Sequence, residues 1–511
     1  MADRNTPQVR WRRLDSVLQS IAPEFAVRRY ANRITAANLR RAYDAAAKGR
    51  GTSGWRTASS SADAEIEVAG QPLRDRMRDL VRNNPMAAAA VQVLVNNMVG
   101  SGIRPRAATG DPELDQQVDA LWARWQKQCD AHGHTNFHGL TTLAAREMVE
   151  GGDLFALRRW QRRRASDVLP LRIELREADY LDDARFDHRM NGSRISNGIE
   201  YNADGRRSAY WMFPEHPGDR GLTFGRSLGS QRILASQVAH LFERQRTQSR
   251  GVPWGTPAIR PLRDVDDWQH AELVRKKTEA CLVGVVTNDA GEETLTPVIK
   301  DAQGNPIEQF SPGMIAYADG ATGVEFNQPS AVGGVYEWHR VQLHIIASGF
   351  RVPYALMTGD MSQANFSSSR VGLNEFRRMI EQFQWQTLIP MFCQPVWDWF
   401  VEAAQLMGEL PVGRPIPVDW APPRFESVNP LQDAQADLIE TRAGFATLPQ
   451  QIAKRGHDPD LQIAEVIRFN AKLDEGDLIF DSDPRRVSKV GQAQANDPLE
   501  TGTNPPERRD P

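Results

Sequence analysis

Val352-Pro-Tyr-Ala-Leu-Met-Thr-Gly-Asp-Met-Ser-Gln-Ala-Asn-Phe-Ser-Ser-Ser-Arg370 is a polar, Gly- and Ser-rich joint between two strongly patterned segments. A loop of this length in the middle of a large chain is usually functional rather than a plain connection. On its amino side, Tyr336 to Phe350 reads as a helix, with Val341, Ile345 and Gly349 along it. On its carboxyl side, Leu373, Phe376, Ile380 and Phe383 recur at spacings of three and four, continuing less regularly through Leu388, Phe392, Val396, Trp397 and Phe400. Pro390 and Pro395 should kink or break that long helix.

Further out on the amino side, Val285 to Val335 reads as a compact insertion of short strands, including Pro297 to Ile299, Gly313 to Tyr317 and Val324 to Phe326, with Pro and Gly at its turns. Before it, Ala258 to Val283 is a long helix. Its acidic Asp264, Asp266 and Asp267 lie in the first half and its basic Arg275, Lys276 and Lys277 in the second, which suits the helix dipole. Short strands at Leu154–Arg158, Leu171–Leu175, Ile199–Tyr201, Tyr210–Phe213 and ending at Glu243, separated by Asn-Gly and Asp-Gly turns, predict a small antiparallel or mixed sheet. Helices precede them. Leu73 to Val99 is helical with a restart at Pro85, Asp111 caps a helix running to His132, and Leu140 to Glu150 ends at Gly151-Gly152. Beyond the long helix, a Pro-rich connection leads to helices at Leu431–Ala443 and Leu461–Leu473, with a capped short helix over Thr447–Lys454 between them. The class is α+β.

Composition narrows function. The chain has 511 residues with 40% apolar and 25% charged, ordinary for a folded protein large enough for several structural units. A net charge of -3 argues against a generic nucleic-acid coat, so any DNA contact is local or deliberately weak. Three widely spaced cysteines, Cys129, Cys281 and Cys393, predict no disulfide framework and a reducing compartment. Arg4, Arg10, Arg12 and Arg13 without an apolar core behind them predict no signal peptide, and Met86 to Val95 is too short to span a bilayer.

No P-loop, H-E-x-x-H, G-x-S-x-G or C-x-x-C motif occurs. Gly49, Gly51 and Gly54 spell G-x-G-x-x-G, but a helix precedes them and a Ser-rich segment follows, the wrong context for a dinucleotide site. Cys129, His132, His134 and His138 fit no familiar zinc spacing and read as a polar interhelix loop. Arg158, Arg159 and Arg162 to Arg164 form a basic cluster, read as a solvated loop or, less often, an anion or nucleic-acid contact. Asp182-Asp183 and Asp266-Asp267 are adjacent carboxylates that point apart.

Arg78-Asp-Leu-Val-Arg-Asn-Asn84, Arg250-Gly-Val-Pro-Trp254, Ala271-Glu-Leu-Val-Arg-Lys-Lys277, Pro312-Gly-Met-Ile315, Val324-Glu-Phe-Asn327 and Asn365-Phe-Ser-Ser-Ser-Arg370 together resemble, in order, the lambda-type portal proteins of tailed phages. That resemblance implies a portal-protein fold. It divides into a basic amino-terminal arm (1–62), an α+β wing (63–256), a stem helix (257–283), a β-containing clip (284–335), a second stem helix (336–350), a tunnel loop (351–370), a long wing helix (371–408), a helical crown region (409–484) and a disordered tail (485–511). It implies a ring, usually of twelve subunits, at one capsid vertex of the virion, assembled in the host cytoplasm, with a tunnel for double-stranded DNA. Implied partners are the terminase motor, head-completion or tail-connector proteins, and the major capsid and scaffold proteins. No membrane, metal, cofactor or catalytic residue is implied. The alternative is a nucleic-acid-processing enzyme whose site is assembled in space.

The resemblance turns the opening stretch into a candidate tunnel lining: Thr358, Gly359, Asp360, Met361, Ser362, Gln363, Asn365, Ser367 and Ser368. No Lys or Arg lies between Val352 and Ser369. DNA being pumped must slide, and each cation pinned to a phosphate adds affinity that retards it. Neutral polar groups can touch the backbone without gripping it.

Overall fold

Asn84 explains the first break in the chain. Its side chain accepts from the amides of Met86 and Ala87, and Pro85 behind it needs no N–H donor at the first helical position, so helix α1 (Ala62–Asn83) stops and α2 (Pro85–Val99) starts. The computed structural model describes residues 59–162, 164–188, 190, 192–219, 229–280, 284–287, 315–317, 323–326, 334–362, 366–423, 425, 430–455, 459–478 and 480. The chain divides into two units, Met1–Ser61 and Ala62–Pro511, and every described helix and strand belongs to the second. The arm at 1–62 and the tail at 485–511 lie almost wholly outside the described residues.

Strand β1 (Arg104–Ala107) follows α2, then α3 (Pro112–Trp125), capped by Asp111 as its sequence predicts. This helix ends at Trp125, well short of His132, because the next residues form a turn built on Asp130. That buried carboxylate accepts from the amides of His132 (3.1 Å), His134 (2.8 Å) and Thr135 (3.1 Å). The Cys129 thiol donates to the Gln126 carbonyl, and burial pushes its pKa up to about 12. The Cys-His stretch is therefore a structural turn. Asp130→Ala is expected to lower stability by about 2 kcal/mol by removing the carboxylate that takes three amide hydrogen bonds of the turn, read as a fall in the urea midpoint. His132→Ala with His134→Ala should stay within about 0.5 kcal/mol of the parent.

After α4 (Phe137–Gly151) come β2 (Asp153–Trp160), β3 (Leu171–Glu177), β4 (Asp187–His188), β5 (Arg194–Ser196), β6 (Ile199–Tyr201), β7 (Arg207–Met212), β8 (Gln231–Leu234) and β9 (Val238–Phe242). They build two sheets where the sequence pattern predicts one. One has the order β3-β2-β9; the other runs β4-β5-β6-β7-β8, antiparallel throughout. In the first, β2 is central and antiparallel to both neighbours, and its first five residues are buried.

Helix α5 (Ile259–Ala280) follows. Three strands come next, β10 (Gly284–Thr287), β11 (Ile315–Tyr317) and β12 (Gly323–Phe326), with β10 parallel to β11 and antiparallel to β12. The expected strand at Pro297–Ile299 lies outside the described residues. Helix α6 (Val335–Phe350) packs back on α5, Trp268 meeting Trp338 with ring centroids 4.3 Å apart.

The long carboxyl-side helix is one helical rod. It consists of α8 (Phe366–Phe383), a π-helical stretch (Gln384–Cys393) and α9 (Gln394–Leu406), after a short α7 (Tyr354–Thr358). It starts at Phe366 rather than 371. Pro390 does not break it: proline lacks a donor and its ring crowds the carbonyl four residues back, and the wider π turn relieves both, with the Gln394 amide bonding five residues back to Ile389. Strand β13 (Val418–Ala421) returns to pair with β1. Helices α10 (Pro430–Arg442), α11 (Leu448–Lys454) and α12 (Pro459–Glu475) finish the described chain, and Thr447 and Gln450 cap α11 reciprocally.

The rod closes the main core. Trp122 lies at ring-centroid distances of 5.0–5.2 Å from Trp125, Phe137, Trp397 and Phe400, joining α3, α4 and α9. No described helix is long and apolar enough to cross a membrane.

Candidate functional site

The polar joint begins at a strained residue. Arg351 ends α6 in the left-handed region (φ 61°), where a residue with a Cβ sits at a cost of about 1 kcal/mol. Its guanidinium grips both oxygens of Glu243, at 2.6 and 3.2 Å, and lies 4.8 Å over the Trp254 ring. A bidentate charged pair of this kind offsets the backbone cost. Pro353 then leads into α7, with Met357 buried. The segment from Tyr354 to Thr358, where the residue pattern predicts loop, is thus helical, and the irregular stretch begins at Gly359 (φ 72°), where glycine carries no Cβ penalty.

Past Gly359 the chain is tied to itself. The Asp360 amide donates to Thr358 Oγ1 (3.2 Å), Tyr354 Oη–H donates to Asp360 Oδ2 (3.0 Å), and the Ser362 amide donates to Asp360 Oδ1 (3.0 Å). Hydrogen bonds from Ser362 first, then from Tyr354, hold the Asp360 carboxyl below the usual carboxylate range. Met361 and Ser362 are exposed. Gln363 and Asn365 lie outside the described residues, and Ser367 and Ser368 are described only as backbone in the first turn of α8. Thr358, Gly359, Asp360, Met361 and Ser362 are therefore brought together, and the other four candidates are not placed against them.

Sequence reading missed the side chains that approach the joint from α6. Arg340 lies 6.0 Å over the Tyr354 ring, and the His344 ring sits tilted beside Tyr354 at 4.0 Å, about three and two turns back along α6. Arg370 pairs with Asp433 at 3.4 Å. Helical spacing from Tyr336 was the available signal for Arg340 and His344.

Two charged junctions hold the body that carries the joint. Asp153, at the start of β2, is fully buried and bonds Arg250 Nε (2.6 Å), the Gly251 amide (2.6 Å) and His240 Nε2 (3.0 Å). Because the Arg207 guanidinium only donates, His240 Nδ1 accepts from it at 3.0 Å, so Nε2 carries the proton given to Asp153. Burial works against the Asp153 charge, but Arg250 and His240 hold its pKa well below normal. Burial likewise pushes His240 down to about 4. The backbone closes tightly here: a Cβ on Gly251 would stand 2.1 Å from the Gly152 carbonyl oxygen.

At the second junction Arg78 of α1 reaches Glu147 (2.5 Å), Asp179 (2.7 Å) and Glu177 (2.9 Å). Glu177, Asp179 and His216 cluster as metal ligands could, but Arg74 and Arg78 already neutralise the two carboxylates. Two of the five arginines of the basic cluster are engaged, Arg158 by Glu402 and Arg159 by Glu174, and Arg163 lies outside the described residues.

Residues 48–384 match the family model described as phage portal protein, lambda family. The chain is 27% identical over 473 residues to the probable portal protein of Halomonas phage phiHAP-1, covering 85% of this chain and 88% of that one. It is 22% identical to portal protein B of Escherichia phage lambda, covering 81% and 86%. Among solved structures, a chain in the neck of an empty gene transfer agent particle matches with a TM-score of 0.42 at 14% identity, covering 80% of this chain and 97% of that one.

Proposed function

The chain belongs to the lambda family of phage portal proteins, and from that membership we propose that it forms a ring at one capsid vertex through which double-stranded DNA is packaged and ejected. It is a structural protein of the virion and not an enzyme. In this reading α5 and α6 are the stem, β10 to β12 belong to the clip, and Gly359 onward lines the tunnel. The clip receives the terminase motor during packaging and the head-completion or tail-connector proteins afterwards, while capsid and scaffold proteins meet the outer face. Assembly takes place in the host cytoplasm, and twelve copies close the ring.

The observation that carries this reading is the charge of the joint. From Val352 to Ser369 there is no Lys or Arg, and the one carboxylate, Asp360, is already engaged by Tyr354 and Ser362. Such a surface offers a passing polyanion hydrogen bonds without an electrostatic trap. Ring formation draws support from the helices. Leu273 and Val274 on α5 and Val341 and Ile345 on α6 stay exposed in a single copy, as a head-to-tail neighbour would require.

Electron-microscopy class averages of the purified chain test the ring. Closed rings with a central hole are expected. A monomer under all assembly conditions, or a metal-dependent nuclease activity, would sink it in favour of the enzyme reading.

A further inference from the structure

A groove of about 1280 Å³ lies between the β1-β13 pair, the end of α3, the helical rod and α12. Its charges balance: Arg104, Arg106, Arg377 and Arg378 face Asp119, Glu381, Asp419 and Glu465. That balance makes it a poor seat for nucleic acid, which selects one sign of charge. Arg106 is taken by Asp460 and Arg378 by Glu375. Arg104, Glu381, Asp419 and Glu465 have no ion-pair partner among the described residues, so the groove offers both signs at once.

The walls are aromatic. Trp385 is 52% exposed, and Trp420 and Phe425 stand beside Pro422 and Pro423. Three residues lining it, Trp122, Gln126 and His138, each hold a buried polar atom without a hydrogen-bond partner, namely Trp122 Nε1, Gln126 Oε1 and His138 Nδ1. Trp122 itself is 4% exposed. An indole N–H needs an acceptor and an amide oxygen needs a donor, the two groups that a peptide backbone presents together. Strand addition is closed off at β1, since Pro105 has no N–H and the Ala107 amide is held by Asp119 at 2.9 Å. Recognition must then go through side chains, and aromatic grooves flanked by charge favour proline-rich segments in their extended helix.

We propose that this groove seats Asn504-Pro-Pro-Glu-Arg-Arg-Asp-Pro511 of the chain itself, supplied by the same or a neighbouring copy. Pro505 and Pro506 match the aromatic wall, Glu507 and Asp510 match Arg104, and Arg508 and Arg509 match Glu381, Asp419 and Glu465. Reach is sufficient. The roughly 24 residues from Phe480 to Asn504 span up to about 80 Å, whereas the Phe480 ring folds back to 6.4 Å from that of Phe469, one turn beyond Glu465 on α12.

Amide hydrogen exchange on the full-length chain, with a synthetic peptide of residues 499–511 as reference, tests the proposal. Exchange across Glu507–Asp510 is expected to be at least fivefold slower in the chain than in the peptide. Arg104→Glu combined with Trp385→Ala, both at exposed positions, should restore the peptide rate while α2 stays protected; Trp385→Ala alone should restore part of it. Slowing that vanishes when rings are dissociated assigns the segment to a neighbouring copy, and slowing that persists assigns it to the same copy. Peptide-like exchange in the parent chain, or slowing that survives the double substitution, overturns the proposal.

Discussion

Asp153→Ala is expected to destabilise the protein by about 3–5 kcal/mol, because it leaves Arg250 charged and buried with no counterion. His240 and the Gly251 amide lose a partner in the same stroke. The result would be seen as a loss of soluble rings and a markedly lower thermal midpoint, and a shift of only a degree or two would contradict it. The same junction makes stability depend on pH. His240 titrates near 4 in the folded chain and near 6.5 when unfolded. The unfolded state therefore takes up a proton first, and stability falls as pH drops from about 6.5 to 4, by up to about 3 kcal/mol. Asp153, with its folded pKa depressed, adds a further loss as pH falls below the usual carboxylate value, so both effects run in the same direction. Melting curves between pH 7 and 4.5 should show this slope, and His240→Gln should flatten it. A midpoint constant over that range would refute the assignment of a neutral buried His240.

Gln363→Lys with Asn365→Lys is expected to cut packaged DNA at least tenfold while rings assemble normally. In a ring each substitution is repeated in every copy, so the pair adds two circles of cations to a stretch that carries no Lys or Arg of its own from Val352 to Ser369. Every phosphate neutralised adds salt-sensitive affinity and so retards sliding. Higher ionic strength should recover part of the yield, since screening weakens such contacts. Normal packaging by intact rings of this variant would remove the joint from the DNA path. Gln363→Ala with Asn365→Ala is the control, and should package close to the parental level.

Much of the helical order was legible because its signals are local. Asn84, Asp111 and Thr447 cap the helices that their neighbours predict, and the three-and-four spacing after Leu373 marks the buried side of the rod. The second sheet was harder to see. β4 and β5 have two and three residues, and β8 is largely exposed, too little for any alternation to register. Pro390 misled because a proline normally ends a helix, whereas the π turn absorbs it. The joint was drawn too long, since Tyr354-Ala-Leu-Met357 is a helix-forming run hidden between Pro353 and Gly359.

The buried junctions could not be read at all. Asp153 meets His240 and Arg250 across 87 and 97 residues of chain, and no spacing rule links them. Two of the six stretches that carry the family resemblance turn out to supply such junctions. Arg78 holds Glu147 and Asp179, and Arg250 holds Asp153 while Trp254 packs on Phe383. The resemblance was thus carried partly by scaffold chemistry.

Glu243 lies three positions beyond His240 on the chain leaving β9, and it grips Arg351 at the root of the joint. Mechanically, that makes β9 a tie bar. In the reading proposed above, a pull on the joint would be shared between the α6 backbone and this salt bridge, which leads into a strand bolted to its sheet by a buried charge.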